Sequence, residues 1–223
     1  LTTTALKVID GIYVKAKKEN NAPQFVKAVI HRMKFERYKE EFSLEKSIYN
    51  LQNEVNETKY PIKPVLHSLL ADAYWQYYQN NRWRFYDRTT TVNFKKDDVQ
   101  TWDLKTIINA VVSNYNASLV NSDSLKRTKI DIYDEVLRKG TKECREWRPT
   151  LYDFLAHRAI DFFMNSEAGV ARPAAQFSLN DDNYLKPYID FLNVTIINPS
   201  DSLELKFYAM KLMQDLTQFH KTD

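Results

Sequence analysis

The sequence predicts an all-α fold of antiparallel helical hairpins, and three observations carry the prediction. Apolar residues recur at three- and four-residue spacing nearly throughout, which is the period of one helix face. No sustained alternation of apolar and polar residues between Gly or Asn turns interrupts that pattern, so strands are not required. Prolines, finally, stand where a helix tolerates them, at the opening turns of apolar stretches. Pro23 and Pro64 lie 41 residues apart, each opening the second helix of a hairpin. That period predicts a solenoid-like, tetratricopeptide-like first half packed on a helical second half, with eight to ten helices in all.

Taken in order, residues 2 to 19 form a first helix with Leu6, Ile9, Tyr13 and Ala16 on one face, broken by Asn20 and Asn21. Pro23 opens a second helix that runs to about Glu41 with Phe25, Val29, Ile30 and Met33 inward. Ser43 and Lys46 give a partial cap to a third, ending near Thr58, and Tyr60, Pro61 and Pro64 turn the chain into a fourth. This fourth helix, Pro64 to Asn80, carries Leu66, Leu69, Leu70, Ala73, Tyr74, Tyr77 and Tyr78 on one broad face and should be deeply packed.

The polar stretch Thr89 to Asp98 is the seam between subregions 1–88 and 99–223 of one helical domain. Thr101 and Asp103 precede a helix ending near Asn121. A short helix from Ile130 to Lys139 stops at Gly140, and Pro149 opens another through Leu151, Phe154, Leu155, Ala159, Phe162 and Phe163. Residues 166 to 182 form a long surface connection, followed by helices near Tyr184 to Asn193 and Ser202 to Lys221.

Composition removes several function classes. Three glycines among 223 residues, where average usage gives roughly fifteen, exclude a Rossmann fingerprint or a Walker loop. The single cysteine, Cys144, excludes disulfide scaffolds and cysteine-rich zinc modules. A net charge of +3 from interleaved charges is too small for a dedicated polyanion binder. No run is long and apolar enough for a membrane span. The chain opens on Leu1 and Thr2 without a leader, so a piece of a longer protein is the expectation.

Asp153, His157 and Asp161 stand at i, i+4 and i+8, one polar stripe on an otherwise apolar helix. That spacing can orient a catalytic imidazole or supply metal ligands; it equally describes a solvent face or an internal hydrogen-bond ladder. No His-Glu-x-x-His motif accompanies it, and His31, His67, His157 and His220 fall on separate helices. Neither a metal nor a cofactor is called for. The run Arg82, Trp83, Arg84, Phe85, Tyr86, Asp87, Arg88 alternates cations with aromatics, which suits base stacking, a protein partner, or a helix end with arginines packed over rings. Arg82, Trp83, Arg84, Tyr86 and, across the seam, Trp102 are therefore the candidate residues for a structural clamp or partner contact.

Cys144 has basic neighbours but no adjoining histidine, which marks a bystander. Asn180 to Asn183 resemble a calcium loop only in composition and better suit a helix cap. The sequons at Asn56, Asn116 and Asn193 fall at or inside predicted helices.

Three segments together carry a family resemblance: His67-Ser68-Leu69-Leu70-Ala71-Asp72-Ala73-Tyr74-Trp75-Gln76-Tyr77-Tyr78-Gln79-Asn80-Asn81-Arg82-Trp83, then Thr101-Trp102-Asp103-Leu104, then Arg148-Pro149-Thr150-Leu151-Tyr152-Asp153-Phe154-Leu155-Ala156-His157-Arg158-Ala159. In combination they resemble the N-terminal helical region of alpha-2-macroglobulin-like proteins of Bacteroidetes, over nearly the whole chain. The resemblance implies a non-enzymatic scaffold or interaction domain ahead of β-sandwich domains, in an exported envelope lipoprotein related to broad-range protease inhibitors. Its implied partners are the other domains of the same chain and, through the parent, proteases; nucleic acid is not among them, and a membrane is met only through a lipid anchor. Cys144 is followed by Arg145-Glu146-Trp147, not by the Gly-Glu-Gln of a thioester, so the resemblance transfers no catalytic residue. The alternatives are a helical enzyme using Asp153 and His157 and, behind it, a nucleic-acid-binding helical module.

Overall fold

The computed structural model describes residues 2–39, 43–86, 95, 98–138, 140–170, 182–197 and 204–221. Ten α-helices occur among them: α1 (Thr2–Lys18), α2 (Ala22–Glu36), α3 (Ser43–Glu57), α4 (Ile62–Tyr86), α5 (Leu104–Ser118), α6 (Ser122–Arg127), α7 (Lys142–Trp147), α8 (Leu151–Phe163), α9 (Tyr188–Leu192) and α10 (Leu205–Phe219). The chain is all-α, and its only β-type pairing among the described residues is an isolated antiparallel bridge between Lys129 and Thr150.

The first five helices pack on their neighbours in sequence: α1 on α2, α2 on α3 and α4, α3 on α4, and α4 most extensively on α5. Asn20 takes a left-handed backbone (φ 52°) to end α1, a conformation asparagine tolerates better than most residues. Asn21 then caps α2, its side chain accepting from Gln24 N at 3.1 Å with Pro23 inside the first turn. Arg32 reaches back to Asp10 at 2.8 Å and lies 4.1 Å above the Tyr13 ring, which fixes α2 against α1. Lys17 meets Glu57 at 2.8 Å and Glu54 at 3.3 Å, and Tyr13 bonds Glu54, so α1 also touches α3.

No described residue from Val65 to Tyr78 is exposed. That is the signature of a core helix, and α4 accordingly contacts α2, α3, α5 and α8. Its polar side chains have partners: His67 Nδ1 donates to Asn114 Oδ1 at 2.9 Å, Tyr74 accepts from Gln52 Nε2 at 2.7 Å, and Ser68 accepts from Arg158 Nε at 2.9 Å. In the second half α8 packs against α4, α5, α6 and α10. One hydrophobic cluster runs through both halves, from Ala16 to Leu216.

Several element boundaries differ from the sequence expectation. The fourth helix continues past Asn80 to Tyr86 across a kink at Asn81 (φ −119°, ψ 17°), whose side chain donates to Tyr77 O at 2.9 Å. The second helix stops at Glu36, and the last spans Leu205–Phe219. The helix expected from Ile130 to Lys139 is a 3₁₀ turn, Ile130–Tyr133, followed by bends. Two six-residue helices, α6 and α7, occupy ground the periodicity left unassigned. Pro149 does not open α8; Thr150 caps it. The helix expected from Tyr184 begins at Tyr188, after a 3₁₀ turn at Asp182–Leu185. Most of the expected seam, most of the long connection, Asn180, Asp181 and Ser202 lie outside the described residues.

Burial pushes the His67 imidazole below its ordinary 6.5, aided by Lys63 and opposed by the Asn114 hydrogen bond. The neutral ring is thus the folded form, and the unfolded chain binds the extra proton as pH falls through 6.5. Stability should therefore drop between pH 7 and pH 5, and His67→Gln should flatten that part of the profile. Urea melts of both proteins across this range check it; parallel profiles would contradict the assignment.

Candidate functional site

The basic and aromatic run begins directly after the kink at Asn81. Beyond it Phe85 turns inward, its ring 5.6 Å from Tyr78 and 6.3 Å from Tyr77. Trp83 turns outward and is 68% exposed, with the Arg84 guanidinium 5.8 Å from its ring. Arg82 is exposed and stands 3.8 Å from Glu167, an exposed pair of little energetic weight. The side chain of Tyr86 lies outside the described residues.

Trp102, in contrast, is buried. Its ring stacks on Tyr74 at 5.3 Å and its Nε1 donates to Lys95 O at 3.0 Å. Tyr74 is held in turn by Gln52 of α3, and burial raises its hydroxyl pKa to about 12. Asp98 and Asp103 cap the turn and helix on either side of Trp102, accepting from Gln100 N at 3.1 Å and Thr106 N at 2.8 Å. The expected clamp set is thus divided: Trp102 is buried and stacks on Tyr74, whereas Trp83 is exposed. Tyr74 is the ring partner of Trp102 that the sequence pattern did not single out for the clamp.

The polar stripe on α8 is also divided. Asp153 is fully buried at the third position of α8, where its Oδ2 accepts from Thr150 N (2.9 Å) and Thr150 Oγ1 (2.7 Å). Thr150 Oγ1 accepts from Asp153 N at 3.2 Å, closing a capping box. Asp153 Oδ1 accepts from His220 Nε2 at 2.8 Å, at the far end of α10. Both carboxylate oxygens are thereby committed. His157 does not meet that carboxylate; its Nδ1 donates to the backbone oxygen of Asp153 at 2.8 Å. Around the His220 contact, Phe219 packs edge-on to Tyr152 at 6.1 Å, and the Lys126 ammonium stands 4.8 Å and 5.1 Å from their ring centroids.

What the fold does build is a cavity of about 490 Å3 between α2, α4, α7, α8 and the segment after Ile130. Buried Val26, Val65 and Ile130 and half-buried Leu69, Leu137 and Phe154 supply apolar walls. Arg138, Arg145, Arg148 and Arg158 line it together with His157, Asp161, Ser68 and the exposed thiol of Cys144. Three residues singled out in the sequence, Cys144, His157 and Asp161, therefore come together, but Asp153 does not line the cavity with them. The arginines were missed because they come from three segments whose convergence no local spacing records. Among the described residues, no group of three or more His, Cys, Asp or Glu is suited to a metal, and no helix is long and apolar enough to cross a membrane.

Comparison of the chain with protein-family models, curated proteins and solved structures finds no match.

Trp102→Ala should cost about 3–5 kcal/mol, the range for truncating a packed aromatic, whereas Trp83→Ala should stay within about 0.5 kcal/mol. Equilibrium urea unfolding of the two variants reads this directly, and equal losses would refute the division. His220→Ala should cost about 1–3 kcal/mol by leaving a buried carboxylate oxygen without its donor. The same melts check it, with a neutral result showing that Asp153 does not depend on His220.

Proposed function

We propose that this chain is a non-enzymatic helical scaffold and interaction domain from the N-terminal region of an alpha-2-macroglobulin-like envelope protein. The observation that carries the scaffold reading is the use made of Asp153, the best catalytic candidate in the sequence. Its two oxygens serve a capping box and a helix-to-helix tie to His220, so the carboxylate supports the packing of α8 against α10. A general base needs a lone pair turned toward a substrate; the Asp153 lone pairs are turned toward Thr150 and His220.

The family assignment rests on the three segments that resemble such proteins. Most of their apolar positions are core positions: Tyr74, Trp75, Tyr77 and Tyr78 in the first, Trp102 in the second, and Leu151 and Leu155 in the third are buried, while Trp83 at the end of the first is exposed. A shared set of core residues is what a common scaffold would retain. Protease inhibition belongs, on this reading, to the parent protein and to no residue of this chain. The envelope location and lipid anchor follow from the parent in the same way.

The deciding experiment is to sequence the reading frame on both sides of the segment that encodes the chain. A signal peptide with a lipobox upstream and repeated β-sandwich domains downstream is the expected result. A stop codon directly after Asp223, or flanking domains of another architecture, would overturn the assignment.

A further inference from the structure

We propose that the cavity between α2, α4, α7 and α8 is a binding site for a single-chain aliphatic carboxylate. Its volume, about 490 Å3, falls within the range of about 300–1,000 Å3 usual for small-molecule sites. Its polarity is graded. The buried walls are mainly apolar, from Val26, Val65, Ile130 and Tyr133, with the buried hydroxyl of Ser68 already bonded by Arg158, while Arg138 and Arg148 on the same cavity are exposed. An occupant must therefore be apolar along its body and polar at one end.

The charge of that end follows from the pairing of the arginines. Arg145 is engaged by Asp134 at 2.7 Å, and Arg158 donates to Ser68 and stands 3.8 Å from Asp72. Arg138 and Arg148 form no ion pair among the described residues, and Asp161 is the one acidic residue lining the cavity. Among the described residues that line the cavity or pair with its lining, Asp134, Asp72 and Asp161 set against the four arginines leave one positive charge over. A monoanion complements it, and the guanidinium fork suits a carboxylate in particular. A cation would be repelled, and an alcohol would leave that charge uncompensated.

This site is independent of the parent assignment; it requires only the cavity and its arginines. Cys144, the single cysteine of the chain, lines the cavity and reports on its occupancy. The experiment measures the rate of Cys144 alkylation by iodoacetamide with dodecanoate added below its micelle concentration, alongside calorimetric titration. Saturable protection, with about one dodecanoate bound per chain and affinity at least about ten-fold above that of dodecanol or dodecylammonium, is the expected result. The double variant Arg138→Glu, Arg148→Glu should keep its helical circular dichroism and lose at least about ten-fold in affinity. If charge reversal unfolds the chain, Arg138→Gln with Arg148→Gln takes its place with the same expectation. Absence of saturable binding, equal binding of dodecanol, tighter binding of dodecyl phosphate, or indifference to the arginine variants would overturn the proposal. So would calorimetric binding that leaves Cys144 unprotected, because the ligand would then lie elsewhere.

Discussion

The enclosure of α4 from Val65 to Tyr78 is the constraint from which the rest of the architecture follows. A helix with no exposed residue between Val65 and Tyr78 must be surrounded, and the chain surrounds it with α2, α3, α5 and α8. The contacts are largely aromatic. Trp75 meets Tyr78 at 5.1 Å and Phe162 at 5.3 Å, Phe162 stacks on Tyr115 at 5.4 Å, and Tyr74 carries Trp102. Such pairs contribute about 0.5–1.5 kcal/mol each beyond the area they bury. Polar atoms on a helix so enclosed must also find partners, and Ser68, His67 and Tyr74 find them on α8, α5 and α3 respectively. The hydrogen bonds thus select which neighbours the apolar faces meet.

This dependence explains what could be read from the sequence. Long helices announced themselves because an apolar stripe repeats several times within them, and Asp103 marked a start with a side chain that does cap, while Asn21, read only as a break after α1, caps α2. The helix α4 was recognised by its crowded apolar face, but its end was not, since the kink at Asn81 is fixed by a side chain bonding back to Tyr77. Phe85, seven and eight residues beyond Tyr78 and Tyr77, keeps their buried face across the kink, while Trp83 is exposed. Helices α6 and α7 have six residues each, shorter than the windows of about 11–18 residues over which period can be measured.

At the candidate site the limit was direction. Spacing places Asp153, His157 and Asp161 on one face of a helix, yet His157 and Asp161 line the cavity and Asp153 does not, because spacing does not say where a side chain at the third helical position turns. There the free backbone N–H groups of the helix start compete for the carboxylate, and Thr150 with Asp153 satisfies them reciprocally. The Thr-x-x-Asp signal for this was present in the sequence. The partner of the other oxygen was not, because His220 is 67 residues away and reaches Asp153 only once α10 lies along α8. The cavity arginines are hidden for the same reason: Arg138, Arg145, Arg148 and Arg158 converge through tertiary packing alone.

The boundary drawn in the sequence near residues 89 to 98 is a boundary in composition and not in packing. Beyond the broad α4 to α5 contact, three side chains bridge the same two stretches of chain. Tyr133 donates to Pro61 O at 2.9 Å, Tyr60 donates to Ser124 O at 3.0 Å, and Gln24 donates to Glu135. Each comes from, or reaches, the turns and short elements between residues 124 and 135, where apolar periodicity is weakest. Tyr133 is itself buried, and that burial pushes its hydroxyl pKa upward, so the bond to Pro61 O is made by the neutral phenol at any ordinary pH. A buried phenol deprived of its acceptor would be left unsatisfied. Separation of the halves would therefore break hydrogen bonds at the α3 to α4 turn as well as strip the aromatic face of α4, and these costs arise together. The short irregular segment after α6 thus does for the two halves what a hydrophobic interface alone does not: it sets their register.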